Sequence, residues 1–183
     1  MPDVASTIPI SRLVPVAETG DLDRDFAVTW YQSWIDAWNS HDPEQLRPLV
    51  TDDFVLSSPT TRHTRWEVTG SDGAVAYMRY VIDAYPDLVW EMVGPPMYTD
   101  GHRLAAFSWT GTGHFSGVLN PPGISGTGRP FEFSGLELFG FHDQQACYLF
   151  ACYDLTGLTK QIGIYPTASG QAGNSEREGA GID

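Results

Sequence analysis

The densest apolar pattern lies near the start of the chain. Phe26, Trp30, Trp34 and Trp38 recur every four residues, with Ala27, Tyr31 and Ile35 beside them. That spacing predicts a helix from about Leu22 to Asn39, and the stripe is wide enough that most of the helix must be covered. Asn39-Ser40-His41 ends it. Asp42 then caps a short second helix, with Pro43 at its first position and Leu46, Leu49 and Val50 facing inward. Phe54-Val55-Leu56 reads as a short strand that stops before Ser58-Pro59, and residues 59–70 read as a polar loop. Ser71 or Asp72 caps a third helix, which turns Val75, Met78, Val81, Ile82 and Tyr85 inward and stops at Pro86.

Beyond Pro86 the period changes from helical to alternating. Strands are predicted near 88–98, 102–114, 130–141 and 146–154, with Asp100-Gly101 as a hairpin turn and His142-Asp143-Gln144-Gln145 as the last turn. Residues 115–129 hold six glycines or prolines plus Asn120, a connection read as a lid. Helices followed by strands give an α+β class: three N-terminal helices on a curved antiparallel sheet, forming a cone that encloses a pocket. Residues 1–21 read as an N-terminal arm, 22–166 as the folded domain, and 167–183 as a disordered tail of small and polar residues.

Composition narrows the class. The chain has 183 residues, 42% of them hydrophobic, which suffices for a sizeable core. Its formal net charge of −13 argues against a phosphate-backbone partner, because nucleic-acid binders need a clustered basic footprint. No run reaches the length of a membrane span, so no membrane partner is expected. The N-terminus lacks a basic region followed by an apolar run, so a cytoplasmic location is expected. Cys147 and Cys152 lie five apart, on opposite faces of a strand, and read as two buried small hydrophobes rather than a bridge or a metal site.

Three polar side chains stand out against this apolar background. Phe131, Phe133, Gly135, Glu137, Phe139 and Phe141 share one strand face, so Glu137 sits among four phenylalanines. A carboxylate there shifts its pKa upward or finds a partner. Two other readings stay open: a bulge at Gly135 that sends it to solvent, or pairing with Arg103. Asp154 follows Tyr148, Phe150 and Cys152 on the next strand, where it either closes an aromatic row or caps the departing chain. His114 ends the second long strand, as a proton carrier or a rim histidine. Two acids and a histidine in an aromatic cavity could perform general acid–base chemistry. Tyr31, Trp34, Trp38, Trp109, Tyr148 and Phe150 are the candidate substrate-binding wall, with core packing as the alternative for the tryptophans. No metal-ligand spacing such as His-x-His or Glu-x-x-His joins these residues, and no metal is expected.

Four stretches carry a resemblance. They are Trp34–Asp42 followed by Leu46, Leu49 and Asp53-Phe54; Thr110-Gly111-Thr112-Gly113-His114-Phe115-Ser116-Gly117; Pro121-Pro122 with Gly126-Thr127-Gly128-Arg129; and Gly135-Leu136-Glu137-Leu138-Phe139 followed by Phe150, Asp154 and Gln161-Ile162-Gly163. In order and spacing the chain resembles, over about residues 26–165, the SnoaL-like polyketide cyclases of the NTF2-like (cystatin-like) superfamily. The resemblance implies an enzyme without cofactors that closes a ring by intramolecular aldol addition on a small hydrophobic secondary metabolite, and a homodimer. It implies Asp154 as the general acid/base and His114 as the family's strand-end histidine. Glu137 stands where an aspartate is usual, Phe150 where a tryptophan is usual, and an insertion lengthens the lid. The same fold hosts isomerases, dehydratases, epoxide hydrolases and non-catalytic binders. Ketosteroid isomerisation is disfavoured because Ser58-Pro59 stands where those enzymes have an aspartate before a proline. An epoxide hydrolase would need Arg103 and the two acids around a water.

Overall fold

The computed structural model describes residues 18–165. The expected arm up to residue 17 and the tail from residue 167 lie outside the described residues. Residues 18–20 run beside the turn at Gly101-His102, joined through Thr19 to His102 and from the Gly20 N–H to the Gly101 carbonyl.

Helix α1 spans Arg24–Ser40. It starts at Asp23, whose side chain accepts from the N–H groups of Asp25 and Phe26, and ends where His41 turns left-handed. The aromatic stripe is buried as its period predicts: Trp30, Tyr31, Trp34 and Trp38 are all covered. The second helix is a 3₁₀ turn, Pro43–Leu49, capped by Asp42, and Val50 already begins strand β1, Val50–Ser57.

The expected polar loop 59–70 is instead helix α2, Pro59–Thr64, and strand β2, Val68–Thr69. Ser58 and Thr61 form a capping box and Pro59 pre-sets the first turn, so local capping made a helix of a polar stretch. Helix α3, Gly70–Ala84, begins one residue before the expected caps. Asp72 lies inside its first turn and pairs with Arg47 at 2.6 Å instead of capping.

The expected strand 88–98 is two pieces, β3 (Val89–Met92) and β4 (Met97–Tyr98). Gly94-Pro95-Pro96 divides them, since proline cannot donate to the ladder. Strands β5 (Leu104–His114), β6 (Val118–Leu119), β7 (Ile124–Ser125), β8 (Pro130–His142) and β9 (Gln145–Tyr153) follow, and a further helix, α4 (Leu155–Gln161), was not expected from the pattern. The main sheet runs β2-β1-β9-β8-β5-β3, with β4 also on β5. It is antiparallel except for the β1–β9 pair. The lid 115–129 forms a hairpin of β6 and β7, anchored by Phe115, which is fully buried.

Helix α1 packs Trp30, Trp34 and Tyr31 on Phe107, Phe139 and Phe141 of the sheet. A second cluster, with Tyr85, Leu88, Phe115 and Phe131, closes the lid end. Both cysteines are free, and Cys152 is exposed rather than buried, because its parity on β9 turns it outward. Among the described residues no helix is long and apolar enough to cross a membrane.

Gly135 is where sheet packing most constrains sequence. A Cβ there would overlap the Trp109 indole, which lies across it. Gly135→Ala is expected to destabilise the protein by roughly 1–3 kcal/mol through forced repacking of that ring. Urea unfolding with tryptophan fluorescence reads both effects, and unchanged stability would show that the indole has room to move.

Candidate functional site

Between the helices and the sheet lies a cavity of about 860 Å³. Trp34 and Trp38 of α1, Trp90 of β3, Trp109 of β5 and Phe131 and Phe133 of β8 form much of its wall. The lid contributes Leu119, Pro121, Pro122 and Ile124, and α4 contributes Leu155, Leu158 and Thr159. So the glycine-rich connection does cover the pocket.

Glu137 faces this cavity. The β5–β8 register runs without a shift from Leu104↔Gly140 to His114↔Pro130, which places Glu137 opposite Phe107 and on the inner face. The only irregularity between β8 and β9 lies at Gly140/Phe141, beyond Glu137, so no bulge at Gly135 turns it away. Arg103 is not its partner; that side chain reaches the Asp143 carbonyl and Glu18 instead. The Glu137 carboxylate lies deep in the molecule, and such exposure as it keeps is to the cavity. Tyr31 donates its hydroxyl to Glu137 Oε2 at 3.0 Å. Burial pushes the carboxyl up to about 7, against the Tyr31 hydroxyl and the Trp34 indole, which both favour the charged form. Burial, and then the Glu137 charge, raise the Tyr31 phenol far above its ordinary value, so it stays a donor.

The other expected site residues lie elsewhere. Tyr31 does not line the cavity; it is fully buried behind Glu137, stacked on Phe107 at 4.0 Å. Asp154 is exposed, caps α4 by accepting from the Gly157 N–H at 2.8 Å, and stands outside the cavity in a shallow surface recess with Glu132 and Gln161. His114 is half exposed and bonded to Asp87, Nδ1 to Oδ2 at 2.7 Å. Partial burial opposes ionisation of Asp87, but the His114 backbone N–H and imidazole outweigh it and hold the carboxyl below its usual range. Tyr148 and Phe150 also miss the cavity. On β9 the inward residues are Leu149, Ala151 and Tyr153, and the one-residue alternation turns Tyr148, Phe150, Cys152 and Asp154 away from it. Phe150 lies under the Arg62 guanidinium, 4.8 Å away. The expected convergence of two acids and a histidine is therefore not formed: of the three, Glu137 alone reaches the cavity. Trp34, Trp38 and Trp109 line it as expected.

Several lining residues carry no local signal in the sequence. Tyr77, Tyr80, Tyr85 and Trp90 belong to no motif beyond apolar packing, and His63 and Thr64 fall in the stretch expected as a polar loop. The Ser58-Pro59 step, a cap followed by proline, was the one local cue that residues 58–64 form a helix able to present side chains inward. Among the described residues, no group of three or more His, Cys, Asp or Glu side chains could hold a metal ion.

Comparisons with known proteins agree with the fold. A candidate SnoaL-like polyketide cyclase from Jannaschia sp. CCS1 is 16% identical with a TM-score of 0.67, over 81% of this chain and 99% of that one. IdmH from Streptomyces antibioticus, a candidate polyketide cyclase, is 24% identical with a TM-score of 0.60, over 74% of this chain and 97% of its own. A protein from Catenulispora acidiphila with a ketosteroid isomerase-like fold is 15% identical with a TM-score of 0.59, over 74% and 92% of the two chains. Among curated proteins, none matches the chain by sequence. The model of the SnoaL-like domain matches residues 31–148, from the tyrosine that holds Glu137 to the middle of β9. By that match, and with the cone fold around its cavity, the chain belongs to the SnoaL-like domain family.

Proposed function

We propose that this protein is a cofactor-independent enzyme of the polyketide-cyclase type, in which Glu137 moves the proton during ring closure on a neutral, hydrophobic substrate. The observation that carries the reading is one carboxyl group, poised near neutrality, facing an apolar cavity large enough for a polycyclic ligand. At neutral pH both protonation forms are populated, which suits a group that must first accept and then return a proton. As carboxylate, Glu137 takes a proton from the carbon next to a carbonyl. The resulting enolate attacks a second carbonyl of the same molecule and forms the new carbon–carbon bond. The alkoxide then takes the proton back from Glu137, so no external reactant is consumed. Trp34, Trp38 and Trp109 hold the substrate flat and exclude water. Tyr31 acts through Glu137 and is a positioning residue. Asp154 and His114 have no part in this reading, because neither reaches the cavity.

A homodimer through the outer face of the sheet is proposed with it. Leu136, Leu138 and Phe150 form a half-buried apolar strip on that face. Light scattering is expected to give the mass of two chains, and the mass of one chain would refute the pairing.

Glu137→Gln is expected to lower turnover by about 10²-fold or more while ligand binding persists. A protein that binds ligand and leaves it unchanged, with or without Glu137, would be a carrier. Tyr31→Phe removes a donor that favours the carboxylate, so the limb of the pH–rate profile that needs the base moves to higher pH. A limb that stays in place would separate Tyr31 from the proton transfer.

Stability gives an independent check. The Glu137 carboxyl titrates at about 7 in the folded chain against an ordinary 4.5. The folded state therefore holds the proton more tightly, and this contribution is complete below about pH 4.5 and lost as pH rises through 7. The difference is on the order of 3 kcal/mol. The wild-type protein should lose stability relative to Glu137→Gln between about pH 4.5 and 7 in urea titrations, and parallel curves would mean that Glu137 titrates normally.

A further inference from the structure

One flank of the cavity groups four hydroxyls. Ser58 precedes α2, Thr60 lies in it, Tyr77 lies on α3 and Tyr153 ends β9, and all four line the cavity. Their hydroxyls are joined: Ser58 Oγ to the Tyr77 hydroxyl at 3.0 Å, and Thr60 Oγ1 to the Tyr153 hydroxyl at 2.6 Å. Burial, and then the nearby Tyr153, raise the Tyr77 phenol well above its ordinary value.

Proton counting gives this row a consequence. Each hydroxyl has one proton to donate and two lone pairs. Four hydroxyls joined in two pairs use two protons and leave two. Ser58 Oγ already accepts from the Thr61 N–H, so an accepting site is spent as well. The row therefore keeps hydroxyl protons free to donate to a ligand in the cavity. Among the described residues no Lys or Arg lines the cavity. His63 is the one basic side chain on this lining and the Glu137 carboxyl faces the same space, so the better-matched group is a neutral acceptor oxygen. The lid side, with Leu119, Pro121, Pro122, Ile124 and Leu158, is mainly apolar and suits hydrocarbon.

We propose that Ser58, Thr60, Tyr77 and Tyr153 form an oxygen-recognition subsite, distinct from Glu137, that binds a neutral carbonyl oxygen at one end of the substrate. The apolar end of the substrate then lies under the lid. This rests on the reading of the cavity as the substrate site, and it sets the orientation in which a substrate meets Glu137. It also defines the substrate class: a flat, uncharged molecule with a carbonyl at the end away from its hydrocarbon portion.

The test compares 9-fluorenone with fluorene, two rigid neutral tricycles that differ by one carbonyl. Neither offers a proton next to the carbonyl in a position to react, so binding is read apart from catalysis. Tryptophan quenching, supported by calorimetry, measures both affinities on the full chain. The wild-type protein should bind fluorenone about 5- to 10-fold more tightly than fluorene. The double variant Tyr77→Phe/Tyr153→Phe should bind both equally, with fluorene affinity unchanged. Should that variant fail to fold, Thr60→Val, which keeps the side-chain shape, should reduce the preference at least 2-fold. Equal wild-type affinities, or a preference that survives in these variants, overturns the subsite. A preference lost in Glu137→Gln but kept in the tyrosine variants would assign the carbonyl to Glu137 and refute the subsite while leaving the cavity reading intact. No binding of either tricycle would overturn the cavity reading and the subsite together.

Discussion

A carboxylate placed among aromatic rings costs several kcal/mol unless something answers it. Here the answer is the Tyr31 hydroxyl, 3.0 Å from Glu137 Oε2. The bond joins helix α1 to strand β8 across the middle of the molecule. Tyr31 is itself held by its ring, stacked on Phe107 within 7° of parallel. Phe107 in turn stands opposite Glu137 in the β5–β8 ladder. Helix, strand and strand are thus tied around one polar contact, and α1 cannot slide on the sheet without uncovering the charge. Shape packing and hydrogen bonding select the same arrangement.

The hollow follows from the distribution of ring sizes. At the end near Phe139 and Phe141 the aromatic side chains of α1 fill the space against the sheet. Toward the lid the rings of Trp90, Trp109 and Phe133 pack on one another along the wall, Trp109 edge to face with both, and line the cavity. Glycines make that wall possible. A Cβ at Gly111 would press on Trp90 and Phe133, as one at Gly135 would on Trp109. The lid closes the wide end, tied by the Gly117 N–H to the Ala84 carbonyl and by Thr127 to the Ile162 carbonyl at 2.7 Å. An apolar cavity kept this way strengthens any charge interaction within it, which is why one carboxyl group suffices as its chemical centre.

Charges outside the cavity have structural work. Asp154 turns the chain from β9 into α4 by capping it, and α4 then supplies part of the cavity wall. Asp87 orders the end of β5 through both the backbone and the ring of His114. Each is an acid or a histidine near an aromatic strand, yet each faces solvent rather than the cavity. Residue type and neighbourhood in sequence do not separate them from Glu137; the wall of the cone does.

What the amino-acid order determined by itself was local. The tryptophan stripe of α1, the caps at Asp42 and the strands around Asp100-Gly101 follow from periods and turn chemistry that act within a few residues, and with them came the α+β cone. The alternation along β8 likewise placed Glu137 on its apolar face. Tertiary structure decided which face of β9 looks inward, because that depends on its register with β8 and on the irregularity at Gly140/Phe141, and one step of parity moved Tyr148, Phe150 and Asp154 out of the site. It also decided that Tyr31 serves Glu137 rather than a ligand, and that Ser58, Thr60, Tyr77 and Tyr153 meet at all. Those contacts span 19 to 106 residues of chain. They exist only where the packed helices and sheet bring distant segments within hydrogen-bond distance, which no local pattern encodes.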